Sequence, residues 1–179
     1  QGGKPSKQYI PMGTTPSVLK MLGLPDTKVL VSRDVLRKVM LDKHNVTSET
    51  LKQLPKQINN PVAVMESAPR ATHNGYIVLT ELSERNISTG KDEPVISALH
   101  LKKTKDGIEV INIASVYGKN LGGLQNMLNH DLVYWNKTKG SQFIESFGLQ
   151  LPSKIDSKTM SLSVDNIKPE TDLSQYQAA

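Results

Sequence analysis

Apolar residues recur at helical spacing in the first third of the chain and at strand spacing in the middle third, and this change of period predicts the architecture. After Thr15, Pro16 suits a first helical position, so Ser17-Val18-Leu19-Lys20-Met21-Leu22 is expected to form a short helix stopped by Gly23 and Pro25. Lys28-Val29-Leu30-Val31 is a brief β-rich run. Ser32 or Asp34 caps a second helix, whose stripe is Val35, Leu36, Val39 and Met40 and which ends near Asp42-Lys43-His44-Asn45. A third follows Thr47, with Leu51, Leu54 and Ile58 toward the core and Pro55 placed to break or kink it.

From Pro61 the pattern is that of strands: Val62 to Glu66, Gly75 to Glu81, Pro94 to Leu101 and Ile108 to Val116. The short turns between them, among them Asn86-Ile87-Ser88-Thr89-Gly90 and Lys105-Asp106-Gly107, imply an antiparallel meander. A helix over Leu121 to His130, a strand over Leu132 to Trp135 and helical turns from Ser141 to Phe147, closed by Gly148, complete the pattern. The expected fold is α+β, with N-terminal helices packed on one face of a four- to five-stranded antiparallel sheet and the other face free for a ligand. Residues 1–13 read as a flexible arm, 14–152 as one domain and 153–179 as a polar tail.

Composition narrows the chemistry. The 179 residues contain no cysteine, which removes disulfides, thiolate catalysis and cysteine-based metal centres. Lys+Arg 22 against Asp+Glu 17 gives a net charge of +5, which favours anionic partners. No apolar run approaches a membrane span, so no membrane partner is expected. The start, Gln1-Gly2-Gly3-Lys4-Pro5, lacks both a methionine and a signal-peptide core and reads as part of a longer polypeptide. The histidines lack His-Glu-x-x-His spacing and the glycines lack a Walker or Rossmann pattern, so neither a metal nor a cofactor is expected.

The chemistry-bearing run is Ser115-x-Tyr117-Gly118-Lys119, where an apolar strand enters a glycine-rich turn. A hydroxyl, a phenol and an ammonium there suit holding and polarising a phosphate, although strands also end in polar residues for structural reasons. Ser115 and Tyr117 share a face by parity, and Lys119 follows if the chain stays extended; Ile111 and Ile113 fall on the same parity. His44, with Lys43, ends a helix whose dipole favours the protonated imidazole. Arg70 follows a strand and offers a planar fork for phosphate, His100 sits on a strand between two leucines, and Trp135 suits either stacking a base or filling the core.

Thr15-Pro16-x-Val18-Leu19-x-x-Leu22-Gly23, Lys43-His44, Leu54-Pro55, Asn60-Pro61-Val62-Ala63-Val64, Leu79-Thr80-Glu81 and Ser115-Val116-Tyr117-Gly118-Lys119, in this order, resemble the C-terminal module of phage MuF-type and polyvalent proteins. Those modules look like members of the superfamily that groups barnase, EndoU, the anticodon-cleaving colicins and RelE. The resemblance implies a toxin-like endoribonuclease that cleaves RNA without metal, the 2′-hydroxyl attacking the adjacent phosphate. It also implies an immunity or antitoxin partner and a bacterial cytoplasm as the place of action. His44, Ser115, Tyr117 and Lys119 are the catalytic candidates, and Lys43, Arg70, His100 and Trp135 the substrate-binding ones. A non-catalytic module that binds nucleic acid or protein is the alternative, and a nucleotidyl or ADP-ribosyl transferase a second.

Overall fold

A computed structural model describes residues 8–41, 46–67 and 75–155, in which a seven-stranded sheet separates two hydrophobic cores. The elements in chain order are β1 (Tyr9–Thr14), α1 (Ser17–Met21), β2 (Lys28–Ser32), α2 (Arg33–Leu41), α3 (Ser48–Asn59), β3 (Ala63–Glu66), β4 (Gly75–Arg85), β5 (Asp92–Lys103), β6 (Glu109–Gly118), α4 (Leu121–His130), β7 (Leu132–Trp135) and α5 (Lys137–Phe147). The strand order is β1-β2-β6-β5-β4-β3-β7. Five neighbouring pairs are antiparallel, whereas β2 runs parallel to β6.

The meander expected from Pro61 onward forms the centre of this sheet, but the predicted class is corrected in three respects. The sheet has seven strands instead of four or five, it is mixed instead of antiparallel, and helices cover both faces instead of one. The reason for two covered faces is visible in β3, β4 and β5, which are apolar at both parities: Ala63, Val64 and Met65, Val78 and Leu79, and Val95 and Ile96 are all fully buried. Val64, Val78 and Val95 join α1, α2 and α3 in the first core, through Leu19, Val39, Leu51, Leu54 and Ile58. Ala63, Met65, Leu79 and Ile96 join α4 and α5 in the second, through Leu124, Leu128 and Phe143.

The two added strands lie at one edge. Tyr9–Thr14, within and just beyond the expected arm, forms β1 against β2, mostly exposed and interrupted between Pro11 and Thr14 as an edge strand permits. Gly13 lies there at φ 104, a conformation that favours glycine. Thr15 fixes the entry to α1: its Oγ1 donates to the Pro25 carbonyl at 2.7 Å and accepts from the Thr27 amide at 2.9 Å.

Pro55 does not break α3. The helix runs from Ser48 to Asn59 because Thr47 caps it, accepting from the Thr50 amide at 3.3 Å, and because Leu51, Leu54 and Ile58 are buried along one side. Burying three large side chains at about 1.5–3 kcal/mol each outweighs the roughly 3 kcal/mol that an interior proline costs. Glu84 of β4 accepts hydrogen bonds from Thr47 and Thr50, and Gln57 Oε1 accepts from the Glu81 amide at 2.9 Å, which binds α3 to the sheet.

In the second core Trp135 is 1% exposed, and α5 crosses its indole at Gly140. A Cβ at Gly140 would lie 2.3 Å from two ring atoms, so only glycine fits without displacing the ring or the helix. Among the described residues no helix is long and apolar enough to cross a membrane. Gly140→Ala is expected to destabilise the protein by about 1–3 kcal/mol even though alanine favours a helix by up to about 1 kcal/mol. Urea unfolding measures this; an unchanged midpoint would show that the indole does not pack against α5.

Candidate functional site

Leu99 of β5 pairs with Ile113 of β6, but Ala98, the next residue back, pairs with Ser115, so Ala114 is an extra residue in β6. This bulge reverses the parity expected from sequence. Ile111 and Ile113 stay in the first core, whereas Tyr117 packs against the second, with Ser115 opposite Ala98 and Tyr117 opposite Ile96. Fully buried Ser97 supports the irregular stretch, its Oγ donating to the Ser115 carbonyl at 3.1 Å.

Beyond Tyr117 the chain remains extended, since the Lys119 amide donates to the Pro94 carbonyl at 2.8 Å. Ser115, Tyr117 and Lys119 therefore share the second face. Lys119 folds over the start of α4: the position of a Cβ on Gly123 would lie 2.8 Å from its Cε and 3.3 Å from its Nζ. Asn120 caps this helix, its Oδ1 accepting from the Gly123 amide at 2.7 Å, and the first turn contains no acidic residue. An ammonium and the positive end of a helix dipole thus lie side by side without the carboxylate that commonly balances such an end.

The hairpin of β4 and β5 projects past the end of β6 and leaves a cleft of about 340 Å³. Its floor is Tyr117, Gly118, Lys119 and Asn120, and its wall is formed by Glu93 and the hairpin residues Glu84 to Ser88. Glu93 reaches the cleft across Gly118, where a Cβ would lie 3.1 Å from the Glu93 Cβ and 3.3 Å from its Oε1. Two other charged residues in the wall have structural partners: Glu84 holds Thr47 and Thr50, while Arg85 pairs with Asp92 at 3.5 Å and donates to the Gly90 carbonyl at 2.9 Å. Burial pushes the Tyr117 phenol above its ordinary pKa, which keeps it a hydrogen-bond donor at neutral pH.

The sequence-derived candidates are distributed unevenly. Ser115, Tyr117 and Lys119 share a face and lead to the cleft, whereas His100 lies farther along that face, opposite Asn112 of β6 and Gly75 of β4. Trp135 is enclosed by the core and has no open ring face for a base. Lys43, His44 and Arg70 lie outside the described residues. Glu93 was missed because its proximity to Gly118 comes from cross-strand register, and nothing in Lys91-Asp92-Glu93-Pro94 announces it.

The profile of the phage MuF-C-terminal domain family matches residues 35–142, from α2 into α5. The match covers more than half the chain, and the chain belongs to this family. No curated protein and no solved structure gave a significant match.

Tyr76 provides a second titration handle, its phenol also raised, first by burial and then by the charge of Glu66. A raised folded-state pKa contributes stability that is present below the unfolded value of about 10 and is lost as pH rises through the folded value. Stability is accordingly expected to fall above about pH 10, and less steeply in Tyr117→Phe. Urea midpoints between about pH 9 and 11 check this, equal slopes in the two proteins being the contrary result.

Proposed function

We propose that this phage module is a metal-independent endoribonuclease whose reaction takes place in the cleft at the end of β6. The observation that supports it best is the bulge-dependent series Ser115, Tyr117 and Lys119 leading to a cleft that also receives the Glu93 carboxylate. The antiparallel sheet of the barnase-like superfamily is not reproduced here, so the proposal rests on the cleft and on the phage family.

In this reading Lys119 and the amides that begin α4 hold the scissile phosphate and stabilise charge in the phosphorane. Glu93 accepts the proton of the 2′-hydroxyl, whose oxygen attacks phosphorus. As the O2′–P bond forms and the P–O5′ bond breaks, the 5′-oxygen takes a proton from the neutral Tyr117 phenol, directly or through water. The products are a 2′,3′-cyclic phosphate and a 5′-hydroxyl, and the transferred protons return through solvent. The module works in the cytoplasm of a bacterial host or target cell as part of a larger phage polypeptide, restrained by an immunity or antitoxin protein.

The test is incubation with total RNA in EDTA and identification of the new ends. The parent protein is expected to leave cyclic phosphates. Lys119→Ala and Glu93→Gln are expected to lower kcat/KM by about a hundredfold or more, and Tyr117→Phe by about a hundredfold. Binding of RNA without cleavage would replace this reading by that of a non-catalytic binding module.

A further inference from the structure

Away from the cleft, the second face of β2, β6 and β5 forms a strip with a consistent chemical character. Val29 and Val31 of β2, Ile111 and Ile113 of β6, and Leu99 and Leu101 of β5 pack in or against the first core. Their strand neighbours Lys28 and Leu30, Val110 and Asn112, and His100 and Lys102 therefore project from the opposite face. Pairing arranges them in rows: Lys28 beside Val110 and Lys102, then Leu30 beside Asn112 and His100, then Ser115 beside Ala98, then Tyr117 at the cleft. Lys28 and Lys102 are exposed, and Leu30, Asn112, His100 and Ser115 are half-buried. Of these three strands, only Ile96 and Tyr117 contact the core beneath α4 and α5, so among the described residues no helix core covers the rest of the strip.

In the middle of the strip, Ser67 and Asn112 contribute unused hydrogen-bonding capacity. Ser67 and His100 meet over Gly75, where a Cβ would lie 2.4 Å from Ser67 Oγ and 3.0 Å from His100 Cδ2. Ser67 Oγ and Asn112 Oδ1 are shielded from water and have no hydrogen-bond partner among the described residues. An unpaired buried polar atom costs about 1–3 kcal/mol, an amount that a donor group reaching it would recover. Glu109 falls on the opposite parity and Asp92 is paired with Arg85 at 3.5 Å, so of the carboxylates of β5 and β6 only Glu93 meets the strip, at its end in the cleft.

We infer that this strip binds single-stranded RNA and guides it into the cleft, a proposal that rests on the reading of the module as acting on RNA. Lys28 and Lys102 hold backbone phosphates at the far end, and His100, Asn112 and Ser67 receive the polar edge of one base. From Val110 to Tyr117 the strip is about 20 Å long, enough for several nucleotides. RNA is favoured over an acidic peptide because the two cations are followed by amide, imidazole and hydroxyl groups suited to base edges, and because the strip is continuous with the phosphate site at Lys119. Lys28 precedes the segment matched by the family, whereas His100, Lys102 and Asn112 lie within it.

The test is fluorescence anisotropy with a labelled 2′-O-methyl RNA of about 12 nucleotides, which binds without being cleaved. The double variant Lys28→Glu/Lys102→Glu is expected to weaken binding at least about tenfold and to reduce the slope of log affinity against log salt by roughly 1.4. Lys52→Glu/Lys56→Glu, the same charge change on exposed positions of α3, is expected to leave both unchanged. His100→Ala is expected to weaken binding and to flatten the preference among homopolymeric probes. Equal losses in the two double variants, no loss in the first, no binding by the parent protein, or tighter binding of polyglutamate than of RNA would each overturn the inference. Strip-dependent binding without cleavage of natural RNA would uphold the strip and refute the endoribonuclease reading; cleavage insensitive to the strip variants would do the reverse.

Discussion

Side chains on a strand change face at every residue, so one extra residue in β6 reassigns all that follow it. Before Ala114, β6 must supply Ile111 and Ile113 to the core beneath α2 and α3; after it, the same strand must supply Tyr117 to the core beneath α4. A regular strand would place Tyr117 on the wrong side and Val116 against α4. The irregularity has a polar support, the buried Ser97 hydroxyl bonded to the Ser115 carbonyl. A similar solution appears in β4, where the register shifts between Leu79 and Ser83 and buried Thr80 donates to the Val95 carbonyl at 2.8 Å. Two hydroxyls at fully buried positions thus sustain two changes of register, each satisfying backbone groups that would otherwise be unpaired.

The site depends on this arrangement. Two cores need a sheet with both faces covered, and the helix that covers the second face begins where β6 ends. That junction brings the Lys119 ammonium to the N-terminal end of α4 and leaves room beside it because the β4–β5 hairpin extends beyond β6. Gly118 and Gly123 matter here for the space they leave, which Glu93 and Lys119 occupy.

Much of the local structure was legible in the sequence, because capping residues, apolar periods and turn glycines are local signals. The helices at α1, α2, α3 and α4, the strands of the meander and the αL cap at Gly148 follow from such signals. Long-range relations were not legible. A run as short as Lys28-Val29-Leu30-Val31 does not reveal its partner or direction, so the parallel pairing of β2 with β6 was missed. In Tyr9–Thr14 only Ile10 and Met12 alternate toward the first core, and Pro11 and Gly13 between and after them read as loop residues, so this short edge strand was hidden. For the site, the run Ser115-Tyr117-Lys119 was found but the face of Tyr117 relative to Ile113 was misjudged, since a bulge adds a residue without a sequence mark when that residue is alanine. Glu93 required the register itself.

The site depends on the bulge at Ala114, which transfers Tyr117 to the face beneath α4. Nuclear Overhauser contacts of the Tyr117 ring protons test it most directly. Cross-peaks to the side chain of Ile96 and to the methyls of the second core are expected. Cross-peaks to Ile113 and the methyls of the first core, with none to Ile96, would contradict it.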